Sequence, residues 1–270
     1  MIYLFGIFLF ILGTTIGSFL NVVIYRYNTG MGVNGRSQCF SCGKTLQWYE
    51  LIPLFSFIFL RGRCGQCQSK ISWQYPLVEL TTGLVFLLFF LKIVGTQIVT
   101  PALIGLLLYS LVIASIFIVI FVYDLKHKII PDGLVIALSV FALISLFVTP
   151  EFTFQRPSIL AILAGPILAA PFALLWLMSR GRWMGLGDAK LVLPMGWFLG
   201  LTYGFSAIII AFWIGAIIGV GLILLSGKLG AITMKSEIPF APFLIIGFLL
   251  VYFLGLNVFN LSTFWGIYYL

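Results

Sequence analysis

The chain is poor in charge and nearly devoid of histidine. Asp, Glu, Lys and Arg make up 8% of its 270 residues, against 62% hydrophobic residues, whereas soluble domains carry roughly 25% charged residues. That scarcity excludes an ordinary water-soluble globular fold. The single histidine, His127, lies in a basic loop beside Lys126 and Lys128 with no serine or cysteine candidate near it. A Ser/His or Cys/His nucleophile therefore has little support, and His127 reads more simply as an interfacial polar residue. HExxH is absent, as are GxxxxGK[ST] and a GxGxxG following a strand, which removes the usual signatures of metalloproteases, P-loop enzymes and dinucleotide binders.

What the chain does have is apolar length. Runs near 20 residues recur throughout, and mean hydropathy is +1.18, as expected of helices that cross a hydrocarbon core of about 30 Å. The pattern predicts an all-α polytopic membrane protein, 1–270 as a single membrane domain, with about eight transmembrane helices near 1–25, 76–94, 102–122, 133–149, 159–178, 191–204, 206–226 and 239–256. The sixth is the weakest, being short and containing Pro194. The first segment has no basic stretch at its start and no small-residue cleavage site before Arg26, so it reads as a retained helix.

Loop charge sets the expected orientation. Of the 15 basic residues, 13 fall on one side, Lys228 and Lys235 among them, leaving Lys92 and Arg156 for the other; that side is therefore the cytoplasm, and both termini face away from it. The net charge of +8 follows from loops held against anionic lipid and calls for no nucleic acid.

Residues 26–75 interrupt the apolar pattern with a polar, basic, cytoplasmic insertion that holds all four cysteines, as Cys39-Phe40-Ser41-Cys42 and Cys64-Gly65-Gln66-Cys67. Two CxxC pairs separated by 21 residues suit a structural zinc ion with four thiolate ligands, Gly43 and Gly65 permitting the tight backbone of each knuckle. Disulfides and redox chemistry are the alternatives, disfavoured by the reducing compartment that the orientation implies. An insertion of this size buries little core, and a metal supplies folding free energy. Four thiolates close the coordination shell and leave no position for a catalytic water.

The acids carry the remaining argument. Asp124 in VYDLKHKIIPD and Asp188 in GLGDAK each stand where an apolar helix meets a basic loop, and intramembrane acids are functional candidates. Two carboxyl groups that share a proton are the minimum equipment of an aspartyl protease. The plainer roles are an N-cap for Asp188 and an ion pair with Lys128 for Asp124. Asp132, after Pro131, reads as an N-cap of the fourth span.

With these residues in view, the chain resembles the type IV prepilin peptidase family, the leader peptidase/N-methyltransferases with GxGD-type intramembrane aspartyl chemistry. The resemblance runs through GSFLNVVIYR (17–26), the CxxC pairs, LQWYELIPLFSFIFLRGRC (46–64), ISWQYPLVELTTG (71–83), DLKHKIIPD, GLGDAKL and IPFAPFL (238–244). It implies an enzyme of the bacterial inner membrane that cleaves the leader from type IV prepilins or pseudopilins at the cytoplasmic face and methylates the new N-terminus from S-adenosylmethionine. The family's catalytic aspartates fall on Asp124 and Asp188, and its cytoplasmic cysteines on Cys39, Cys42, Cys64 and Cys67. One departure is Phe40, where proline is usual. The methyl donor's site has no pattern of its own; Trp48, Tyr49, Trp73 and Tyr75 are either partners for a sulfonium or belt aromatics of the interface. A peptidase lacking methylation, an ion transporter using the two aspartates as a relay and a non-catalytic assembly scaffold remain the alternatives.

Overall fold

In a computed structural model the chain is described over residues 2–30, 32, 35–95, 99–149, 151, 153–226 and 238–259. Lys228 and Lys235, used above for orientation, lie outside them. The described residues form helices α1 (Ile2–Arg26), α2 (Phe55–Phe59), α3 (Gln74–Ile93), α4 (Pro101–His127), α5 (Asp132–Phe147), α6 (Ile159–Ser179), α7 (Leu186–Ser226) and α8 (Ala241–Leu254), with a 3₁₀ turn at Trp48–Leu51. No extended strand occurs among the described residues; only isolated bridges do. Five helices are long and apolar enough to cross a membrane, and α5 and α8 are shorter apolar helices. The chain is thus a polytopic helical membrane protein.

It divides into two compact units, residues 1–122 and 123–270. In the first, α1 packs along α3. Lipid tails are as apolar as leucine, so helices in a bilayer associate through close packing of small residues and not through hydrophobic exclusion. Gly13 shows this directly: a Cβ there would lie 2.8 Å from the Gly83 Cα. Asn21, fully buried on α1, donates to the Tyr75 carbonyl at 3.2 Å and ties the loop end of α1 to the start of α3.

In the second unit α6 and α8 both pack on α7. A straight helix of 41 residues would be about 60 Å long, twice the hydrocarbon thickness. Gly200 breaks it, with φ 74° and ψ 178°, a conformation that only glycine adopts without strain. The chain doubles back there. A Cβ on Gly204 would lie 3.6 Å from the Gly196 Cα, where a continuous helix separates residues eight apart by about 12 Å. The sixth and seventh expected helices are therefore two arms of a hairpin, 186–199 and 201–226, with the turn five residues before the expected gap. Pro194 lies inside the first arm. Gly196 meets Gly165 of α6, and Gly247 of α8 meets the Ala207 carbonyl, so both neighbours approach α7 backbone to backbone.

Gly13→Leu should lower the stability of the α1/α3 pair by roughly 1–3 kcal/mol, the usual cost of overpacking. Gly221→Ala should be neutral, since a Cβ there meets nothing within 4 Å. Thermal unfolding in detergent measures both; equal midpoints would refute the contact.

Candidate active site and metal centre

Asp124 and Asp188 both belong to the second unit and are both buried, at 4% and 8% exposure. Asp124 sits in the last turn of α4. That helix ends because Lys128 adopts a left-handed conformation (φ 55°) while its N–H closes on the Asp124 carbonyl at 2.8 Å. The chain then crosses Ile129–Pro131 and enters α5. Asp188 is the third residue of α7, and its carboxylate reaches back to the Gly185 backbone N–H. First-turn amides of a helix have no intrahelical acceptor, so Asp188 caps its own helix from inside its first turn, not from the cap position before the helix.

The two carboxyl groups lie close enough for the Asp124 charge to act on Asp188. Gly187 makes this approach possible. A Cβ on it would meet Ile130 Cβ at 3.1 Å and Cδ1 at 3.2 Å, so any larger residue would push the segment after Asp124 away from α7. Gly185 differs: a Cβ there would find only the Asp188 Oδ2, at 3.8 Å, and its neighbour's backbone. Of the two glycines in GLGD, the second holds the packing.

A third helix end joins them. The Ala241 N–H, at the first residue of α8, donates to Asp124, again a first-turn amide without an intrahelical acceptor. The other carboxylate oxygen, Asp124 Oδ2, is buried and has no hydrogen-bond partner among the described residues. Sequence reasoning placed Ala241 within a matching motif but gave it no role; Pro242, next in the chain, is the one local sign that a helix begins there.

Asp132 is not an N-cap. Pro131 occupies the cap position, and the Asp132 carboxylate instead accepts from Lys190 Nζ at 2.8 Å. The pair is exposed, at 65% and 42% for the two side chains, and pins the start of α5 to the first turns of α7. His127 packs against Tyr123 with ring centroids 4.5 Å apart and the ring planes tilted by 35°.

In the first unit the four cysteines come together. Their sulfurs all lie within 4.8 Å of one another, a set that can hold a metal ion, and none is in a disulfide. Cys39 Sγ and Cys67 Sγ are 3.8 Å apart, which is the edge of a tetrahedron with metal–sulfur bonds of about 2.3 Å. Each pair is a knuckle closed by an antiparallel bridge, Gln38 to Thr45 and Arg63 to Lys70. After each second cysteine the chain turns left-handed, at Gly43 (φ 71°) and at Gln68 (φ 58°). Gly65 is therefore not the turn residue expected of it. It is small because the Glu50 Oε1 would sit 2.9 Å from its Cβ.

Glu50 is the hub of the insertion. Its buried carboxylate accepts from the Gln47 N–H at 2.9 Å and from Lys44 Nζ at 3.0 Å, while backing onto the second knuckle at Gly65. Those donors hold it below the ordinary carboxylate range. Backbone amides of Cys42 and Ser41, with the Ser69 hydroxyl, hold the Cys39 thiol down to about 6, and Ser69 lowers Cys67 likewise. Against the Lys44 backbone, which lowers it, desolvation and the sulfurs of Cys67, Cys39 and Cys64 push the Cys42 thiol up to about 11, so the thiolate that a metal requires is favoured at Cys39 and Cys67 and not at Cys42.

Residues 11–93 match the Bacterial Peptidase A24 N-terminal domain and residues 111–220 match the Type IV leader peptidase family. Among curated relatives, a prepilin leader peptidase/N-methyltransferase of Myxococcus xanthus is 35% identical over 239 residues, covering 87% of this chain and 68% of the relative. A protein of the same name from Klebsiella pneumoniae is 34% identical over 207 residues, covering 73% and 86%. One from Bacillus subtilis is 29% identical over 248 residues, covering 92% and 93%. No solved structure matches.

Cysteines replacing Ile130 and Gly187, in a background without the native thiols, should cross-link under mild oxidation, because the two Cβ positions lie 3.1 Å apart and the small outward shift that a side chain at 187 forces brings them into disulfide range. The same pair at Ile130 and Gly185 should not. Mass analysis of proteolytic fragments reads the result.

Proposed function

The chain belongs to the type IV leader peptidase family, and from that premise we infer a bifunctional membrane enzyme that cleaves leader peptides and N-methylates the new N-terminus, with Asp124 and Asp188 as its proteolytic pair. One observation supports the pair above others: two buried carboxyl groups at facing helix ends, each held through a backbone amide, with Asp124 Oδ2 left without a partner. That free oxygen is the position from which a water can be polarised. One aspartate takes the proton of the attacking water and the other gives a proton to the leaving amine, so peptide hydrolysis proceeds without an acyl-enzyme. The Gly185 and Ala241 amides keep both carboxylates oriented while this happens, and Gly187 keeps them close.

The substrates are type IV prepilins or pseudopilins, whose apolar helices lie against the spans while the leader reaches the loop side. Eight spans, counting both arms of α7, carry the basic loops to the cytoplasmic face of the inner membrane, and the active site opens there. S-Adenosylmethionine supplies an electrophilic methyl group on a cationic sulfur. Cys39, Cys42, Cys64 and Cys67 hold a structural zinc, which fits the mutual distances of the four sulfurs. Its role is to fold the 26–75 insertion and not to activate water, since four thiolates fill the shell.

Asp124→Asn and Asp188→Asn should each lower prepilin cleavage by roughly 10²–10⁴, the usual contribution of general acid–base catalysis, with membrane insertion intact. Substantial processing by either variant would reject the mechanism. The purified protein should contain about one zinc per chain, and Cys39→Ser with Cys42→Ser should lower that content; freshly reduced protein free of zinc would reject the metal. A cysteine at exposed Gly133, again without native thiols, should resist an impermeant reagent outside intact cells and react in inverted vesicles. Labelling from outside would reverse the topology.

A further inference from the structure

The first unit contains a cavity of about 840 Å³, within the 300–1,000 Å³ range of small-molecule sites. It lies between the loop end of α1, the start of α3 and the cysteine insertion, and Asn21, Tyr25, Tyr75 and Glu79 line it. Cys39 and Cys64 of the sulfur cluster line it too, but neither the cluster nor the aspartate pair accounts for Asn21 and Glu79.

Two of those groups are buried acceptors in need of a donor. Glu79, 7% exposed, accepts from the Leu54 N–H at 2.8 Å and from the Ser18 side chain, yet has no cationic partner among the described residues. A buried carboxylate without a counter-charge is costly unless a ligand supplies one. Asn21 is fully buried; its Nδ2 donates to the Gly17 and Tyr75 carbonyls, and its Oδ1 has no hydrogen-bond partner among the described residues. Gly17 brings these groups together, since a Cβ on it would lie 2.8 Å from the Glu79 Cα. An aromatic column completes the wall: Tyr25 stacks on Tyr75 at 5.2 Å and touches Phe40 at 5.6 Å. Arg26, Arg36 and Lys70 line the cavity as well, so it presents both signs and suits a zwitterion that carries a flat, donor-rich cationic part.

Resting on the N-methyltransferase reading above, we propose that this cavity is the S-adenosylmethionine site, with Glu79 and Asn21 Oδ1 as acceptors for the cationic and N–H-bearing groups of the methyl donor. The new N-terminal amine of a cut prepilin is also a cation, but it is the weaker fit. An amine attacks a methyl group only when neutral, and a buried carboxylate favours its protonated, unreactive form. A sulfonium is a permanent cation and incurs no such penalty. Of the four aromatics named from the sequence, only Tyr75 lines the cavity; Trp48, Tyr49 and Trp73 are exposed, as interfacial aromatics are.

The test is equilibrium binding of radiolabelled S-adenosylmethionine to the full chain in detergent, with ultraviolet cross-linking to map the contact. Glu79→Gln keeps an acceptor for Leu54 and removes only the charge, so it should weaken binding at least tenfold with helical content and thermal midpoint unchanged. Label in the wild-type protein should appear on peptides containing Tyr25 or Tyr75. Unchanged affinity in a folded Glu79→Gln protein, or label confined to peptides outside residues 18–79, would overturn the assignment. So would loss of cut-prepilin peptide binding in that variant with donor binding intact. If Glu79→Gln unfolds, the cross-link map of the wild type decides alone. A wild-type protein that binds no donor would instead reject the methyltransferase reading itself.

Discussion

Backbone contact at small residues is the constraint on which the rest of this protein depends. In lipid, apolar side chains gain little by leaving one neighbour for another, so helices stay together where their backbones can touch. Gly13 with Gly83, Gly165 with Gly196 and Gly247 with the Ala207 carbonyl are such contacts. The same device operates at the end of α4, where Gly187 lets the segment around Ile130 lie against the first turn of α7. That contact fixes where Asp188 stands relative to Asp124. A packing requirement and the requirement of a paired carboxylate are met by one residue.

Helix ends supply the polar environment that the apolar interior withholds. The amides of Gly185 and Ala241 reach Asp188 and Asp124 because the first turn of a helix leaves its N–H groups without acceptors. Each aspartate is thereby oriented through one such bond, and Asp124 still keeps an oxygen free. In the first unit the arrangement recurs with different chemistry: Asn21 ties α1 to α3 with its amide hydrogens and keeps its oxygen unused.

The cysteine insertion is organised by charge more than by core. Glu50 bridges the first knuckle, through Lys44, to the second, through its contact with Gly65, and the two knuckles repeat the same bridge and left-handed turn. A segment of this size has too little apolar area to fold on burial alone, and the proposed zinc supplies what burial does not.

Composition and periodicity are local properties, and they made the apolar helices, the polar insertion, the paired CxxC spacing and the two candidate aspartates legible in the sequence. Acids are scarce enough in such a chain, seven in all, for Asp124 and Asp188 to stand out at helix ends without any structure, whereas the equally buried Glu50 and Glu79 did not. Long-range packing decided the rest. Asp132 carries the marks of a helix cap but pairs with Lys190, 58 residues away. Gly65 resembles a turn glycine but makes room for Glu50. Ala241 has no polar side chain to announce it, and its contribution is a backbone amide aimed by the start of α8. Tyr25 and Tyr75 stack although 50 positions separate them. The sequence alone determined which residues are candidates for the chemistry; the tertiary structure decided which helix ends meet, because that depends on where two backbones approach closely and no local pattern encodes it.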